Sequence, residues 1–166
     1  MASKRSAGLL LYRRTERGVE VLIGHMGGPF WARKDDAAWS IPKGEYGPDE
    51  DPLAVALREF EEETGSPVPA SDLVPLGDVR QSGGKVLTAW AAEGDLDADA
   101  TTCNTFELEW PPRSGRLQQF PEIDRTAWLP VDVARAKLVK GQVPLLDRLI
   151  DALGVPGQDV GDSGSA

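Results

Sequence analysis

The segment REFEEETG, residues 58–65, sets four glutamates and one arginine in a run of helix-forming residues. Like charges three or four positions apart each cost an isolated helix roughly 0.2–0.5 kcal/mol. Glu59, Glu62 and Glu63 stand at spacings of three and four and so share one face, while Glu61 points elsewhere. Three converging carboxylates offer hard oxygen donors, which suit Mg²⁺ held jointly with substrate phosphates. Arg58 borders the cluster beside Glu62, where it offsets part of the charge. A glutamate run on an arbitrary helix is usually a solvated face, so the array alone does not decide the chemistry.

A helix must carry these side chains, and its ends are legible. Asp51 is a good N-cap, Pro52 suits the first helical position, and Gly65 can end the helix in a left-handed conformation. At about 100° per residue, Leu53, Ala56, Leu57, Phe60 and Thr64 fall together and predict the buried stripe. Ahead of the helix, WSIPKGEYGPDEDP is a loop broken by Gly and Pro that delivers Glu50 just before the cap.

Loop and helix together read Gly44, five residues, Glu50, seven residues, then Arg-Glu-Phe-Glu-Glu-Glu-Thr-Gly. This resembles the signature of the Nudix hydrolases, GX5EX7REUXEEXGU, where U is a bulky apolar residue. Gly44, Glu50, Arg58, Glu59, Glu62, Glu63 and Gly65 match every fixed letter, and Phe60 matches the first U. Ser66 departs from the last U, which bears on local packing rather than on metal binding.

The resemblance implies an α/β fold, the Nudix α/β/α sandwich with a mixed central sheet and the box as its loop-helix. It implies cleavage of a nucleoside diphosphate linked to another group, with Mg²⁺ or Mn²⁺. Carried over, Glu62 and Glu63 would be metal ligands, and Glu59 a ligand or the base that takes a proton from water. Glu50 would support the cluster without touching the metal, the Lys43 carbonyl would be a further ligand, and Arg58 would orient the glutamates. Many family members draw one more acidic residue from a later strand, typically six positions before a tryptophan. Glu122 lies six before Trp128 and is the candidate ligand or base there, with Glu107 and Glu109 as alternatives.

For the substrate, Trp31, Trp39 and Tyr46 surround the box and are candidates to stack on a base, although core packing accounts for each as well. Lys43, which abuts the box, and Arg33 are the preferred phosphate contacts, ahead of Lys34, Arg113 and Arg116. His25, the lone histidine, is read as a strand-end residue rather than a catalyst. The entry Trp39-Ser40-Ile41-Pro42-Lys43-Gly44 resembles that of Nudix enzymes acting on dinucleoside polyphosphates or diphosphoinositol phosphates. The tyrosine that dinucleoside polyphosphate hydrolases often carry after the box is absent, since residues 82–84 occupy that region. The expected substrate is a dinucleoside polyphosphate such as diadenosine tetraphosphate, with nucleoside triphosphates and ADP-ribose as alternatives. A nucleotide-sensing module without turnover is the competing class, and the complete set of box glutamates speaks against it.

The rest of the chain predicts one domain over residues 1–153 and a disordered tail over 154–166. Strands are expected at 7–14, 19–26, 73–81, 85–94, 105–110 and 123–130, and closing helices at 131–139 and 145–153. A net charge of −9 and a pI near 4.6 argue against long nucleic acid as a partner and leave room for a small anion neutralised locally. Cys103 is the sole cysteine, so no intrachain disulfide forms and a reducing compartment fits. No apolar run has the length of a membrane span, and the expected location is cytoplasmic.

Overall fold

A computed structural model of the chain describes residues 4–68, 72–102 and 105–154. Its layers follow from alternation in the first strand, β1 (Arg5–Thr15), which is buried on both faces. Leu9 and Leu11 point to one side, with Leu22, Ala92 and Phe60. Leu10 and Tyr12 point to the other, into the larger core with Val21, Ile23, Leu145, Leu146 and Leu149. A helix layer covers each face.

Around β1 lie β2 (Gly18–Met26), β3 (Trp39–Ser40) and β4 (Lys43–Tyr46). After helix α1 (Pro52–Thr64) come β5 (Leu73–Arg80) and β6 (Val86–Glu93). A separate hairpin of β7 (Thr105–Glu109) and β8 (Leu117–Pro121) leads to β9 (Ile123–Pro130), and α2 (Val131–Lys137) and α3 (Val143–Leu153) complete the described elements. The main sheet runs β3-β2-β1-β6-β5, with β4 added to β1 and β9 to β2. β1 pairs with β6 in parallel and with β2 and β4 antiparallel, so the sheet is mixed. The fold is the expected α/β/α sandwich.

Helix α1 begins and ends as its sequence predicts. The Asp51 carboxylate accepts from the Ala54 N–H at 3.1 Å, and Gly65 closes the helix at φ 80° with its N–H on the Glu61 carbonyl. The buried residues are Val55, Ala56, Phe60, Glu63 and Thr64, which corrects the expected stripe. Leu53 and Leu57 are only half-buried, because the helix also leans on β4 and packs Val55 against Ala7.

Further boundaries differ, among them the start of α3 at Val143 rather than at 145. Residues 43–46 form a strand rather than loop, since they ladder with β1 from Arg5↔Tyr46 to Gly8↔Lys43. Residues 117–121 form a strand because the hairpin closes on them from Thr105↔Pro121 to Glu109↔Leu117. Helix α2 stops at Lys137, where Leu138 turns extended and the Val139 N–H bonds the Trp39 carbonyl. The expectations for Cys103 and for the tail beyond Gly154 lie outside the described residues. Among the described residues, no helix is long and apolar enough to cross a membrane.

Phe60 is fully buried and joins α1 to the sheet. Phe60→Ala should lower unfolding stability by about 3–5 kcal/mol in denaturant titration. A loss below about 1 kcal/mol would show that α1 is held by its ends instead.

Candidate active site

The carboxylate face of α1 rests on β4. Glu59 lies directly over Gly44, so closely that a Cβ at 44 would come within 2.1 Å of its Cδ and 2.5 Å of Oε2. A side chain at 44 would push the Glu59 carboxylate off β4, which gives the box glycine a reason tied to the site. Glu63, four residues on, is buried, and the Lys43 N–H points at its Oε1 from 3.4 Å. Glu62 stays on the exposed rim.

Arg58 ties the rim together. Its guanidinium stands 3.4 Å from Glu50, 3.6 Å from Glu59 and 3.9 Å from Glu62. Glu50 in turn accepts the Gly47 N–H at 2.9 Å. That amide, and then Arg58, hold the Glu50 carboxyl below its ordinary range. Glu50 thus braces Arg58 from outside the cleft.

The fourth carboxylate arrives from the start of β9, the strand paired with β2. Glu122 precedes β9, and its carbonyl accepts the Gly27 N–H at 3.0 Å. Gly27 is needed there, because a Cβ at 27 would strike the Pro121 carbonyl at 1.9 Å. Just beyond, the β2–β9 register shifts between His25 and Met26. The shift frees Asp124 to meet His25 Nδ1 at 2.9 Å, while His25 Nε2 donates to the Lys34 carbonyl at 2.6 Å. His25 is fully buried and ties the 27–38 loop to β9.

Lys43, Gly44, Glu45, Glu59, Glu62, Glu63 and Glu122 line one cleft of about 380 Å³. Glu45 is a cleft residue that sequence reasoning missed. Its signal would have been the β4 ladder, which turns residues 43–46 from loop into strand. Five of the expected site residues do not line this cleft, one of them Arg58, which holds the rim from outside. Trp39 is a core residue, 5% exposed, set edge-on to His25 and covered by Arg125, so it presents no free face to a base. Tyr46 packs under α1 with Ala7, Val55 and Ala56. Arg33 is an exposed residue of the 27–38 loop, and Glu50 stands behind Arg58. Glu107 and Glu109 belong to the separate β7–β8 hairpin.

The cleft holds charge under tension. Burial pushes the Glu63 carboxyl up to about 8, against the pull of Lys43 and with a further push from Glu59 and Glu122. Burial also raises Glu59, followed by repulsion from Glu62. The donors are all oxygen, which fits a hard divalent cation rather than a soft one. Among the described residues, no three His, Cys, Asp or Glu side chains close into a ready-made ligand set.

Several comparisons bear on this arrangement. The model of the NUDIX domain matches residues 2–149. A C. elegans Ap4A hydrolase in a binary complex shares 20% identity at a TM-score of 0.60, covering 91% of this chain and 98% of its own. The NUDIX domain of Shewanella oneidensis NrtR complexed with ADP ribose shares 19% at 0.62, covering 92% and 90%. RenU, a Nudix hydrolase from M. smegmatis, shares 22% at 0.55, covering 93% and 89%. Likenesses at this identity carry the fold alone. No curated protein sequence matches the chain.

The Glu63 shift has a definite sign. The unfolded carboxyl loses its proton near 4.5, and the folded one near 8. Folding therefore takes up a proton between those values, and stability without divalent metal falls as pH rises through that window. Glu63→Gln should flatten this fall in melting temperatures measured from pH 5 to 8.5 in chelator. Mg²⁺ should raise the wild-type melting temperature increasingly over the same range. Equal slopes for wild type and variant would remove Glu63 as the source.

Proposed function

The chain belongs to the NUDIX family and is a hydrolase of phosphoric anhydrides, and from that premise we propose that it is a Mg²⁺-dependent pyrophosphohydrolase of a nucleotide-like small molecule. The observation that carries the reading is the meeting of Glu59, Glu62, Glu63 and Glu122 with Lys43 on one cleft. Glu59, Glu62, Glu63 and the Lys43 carbonyl would hold the cation, Mg²⁺ or Mn²⁺. When bound, such a cation neutralises the diphosphate and makes water a competent nucleophile at neutral pH.

The chain's own groups then divide the work. Arg58 orients Glu59 and Glu62 from outside and is itself braced by Glu50. Burial and then repulsion from Glu62 raise the Glu59 carboxyl, which makes it a stronger proton acceptor than an ordinary glutamate. Glu122 faces it across the cleft as a second candidate for that role or for a metal ligand. The Lys43 ammonium sits where it would meet a phosphate oxygen.

The preferred substrate is a dinucleoside polyphosphate such as diadenosine tetraphosphate. The entry 39–44 supports it, and so does the likeness to the C. elegans Ap4A hydrolase at the level of fold. ADP-ribose is the second reading, supported by the likeness to the NrtR domain that binds it.

A release assay with Mg²⁺ and with Mn²⁺ should compare diadenosine tetraphosphate, ADP-ribose, nucleoside triphosphates and a diphosphoinositol phosphate. Turnover is expected, fastest on the first. Silence across the panel with metal shown to bind would move the reading to a sensing module. Glu62→Gln should cut turnover by orders of magnitude while the melting temperature holds, because a charge leaves a crowded rim. Glu61→Gln, on an exposed position outside the cleft, should change turnover little. A large loss there would contradict the helical phasing.

A further inference from the structure

Lys43 borders two cavities. Across it from the carboxylate cleft lies a second one of about 550 Å³. Trp31 and Met26 form part of its wall, and Lys43, Arg80, Lys85 and Lys140 surround it. No aspartate or glutamate lines it, although the chain carries 27 of them against 18 lysines and arginines. The four cations come from β4, the end of β5, the β5–β6 turn and the turn at Lys140–Gln142. Distant parts of the chain thus place like charges around one hollow. Among the described residues, Arg80, Lys85 and Lys140 enter no ion pair.

The floor of this cavity is fixed. Gln142 is fully buried, and both ends of its amide are engaged. Its Oε1 accepts the Ile41 N–H at 2.9 Å, and its Nε2 donates to Ser40 Oγ and to Gln81 Oε1, each at 2.9 Å. A satisfied buried amide linking three segments keeps the hollow open and its rim in place. Unpaired cations around a rigid concave wall are what a polyanion needs.

We propose that this cavity binds the non-scissile end of the substrate, and that this end carries phosphate groups. The ligand class is a polyphosphate arm, borne by a nucleoside or by a polyol. The proposal rests on the reading that the carboxylate cleft takes the scissile anhydride. Lys43 then lies at the junction, able to meet phosphate oxygens on both sides. A substrate with only two phosphates, such as ADP-ribose, would leave Arg80, Lys85 and Lys140 unmatched.

The test uses the full chain, a triple variant Arg80→Ala, Lys85→Ala, Lys140→Ala, and Glu62→Gln. All three cations are exposed, so their removal spares the core. Calorimetric titration with inorganic tripolyphosphate in chelator should show binding that weakens with salt. The triple variant should bind about tenfold or more weakly, whereas Glu62→Gln should keep its affinity. Equal affinity in wild type and triple variant would overturn the proposal. So would adenosine binding as tightly as tripolyphosphate, since the pocket would then read a base through Trp31. Adenosine tetraphosphate and inositol hexakisphosphate as competitors distinguish the nucleoside from the polyol source.

Kinetics separate this proposal from the one it rests on. The triple variant should raise KM for diadenosine tetraphosphate by a larger factor than for ADP-ribose. Equal factors would overturn the anion pocket and leave the hydrolase standing. Absent hydrolysis with tripolyphosphate binding lost in the triple variant would sink the substrate reading and retain the anion site.

Discussion

The contact of the Glu59 carboxylate with the bare backbone of Gly44 is the interaction around which the cleft is built. Because nothing projects from residue 44, the Glu59 carboxylate can lie across β4 instead of being pushed off it. β4 is in turn held by β1, the most interior strand, through Ala7↔Gly44 and Gly8↔Lys43. Phe60 clamps the same helix to the other neighbours of β1. Phe60 and Glu59, adjacent in sequence, therefore both bear on the sheet through one helix turn. The glutamates of this helix face have little freedom to retreat.

That constraint explains the electrostatics. A solvated glutamate run relieves its repulsion by spreading into water, but Glu63 is buried and Glu59 is half-buried. Desolvation is the leading influence on both carboxyls and outweighs the opposing pull of Lys43 on one and Arg58 on the other. Arg58 is exposed and shared among three carboxylates, so water screens much of its effect. The balance leaves the cleft short of positive charge at neutral pH. A divalent cation supplies it in a way that a surface arginine cannot.

Glu122 depends on a different kind of support. It sits between the β7–β8 hairpin and β9, where a loop position alone would leave its direction loose. Gly27 takes its carbonyl, and the adjacent register shift hands Asp124 to His25. The buried imidazole is bonded on both sides, to Asp124 and to the Lys34 carbonyl, so it joins the 27–38 loop to the strand that carries Glu122. The lone histidine thus contributes by holding the chain in place, at a distance from the cleft lining.

Local order in the chain already specified the helix, its caps and the phase of its glutamates, because capping and the 3.6-residue repeat act within a few residues. Spacing carried the family resemblance for the same reason, and period-two alternation marked most of the strands. What local order did not specify was partnership. Trp39 looks like a stacking surface in sequence, and only packing against His25 and Arg125 makes it core. Glu45 and β4 read as loop until β1 supplies the hydrogen bonds that extend them. Arg80, Lys85 and Lys140 are unremarkable surface charges in sequence, separated by up to 60 positions. Their meeting around one hollow is a long-range property, decided by how β5, its turn and the Lys140–Gln142 segment close on the buried amide of Gln142.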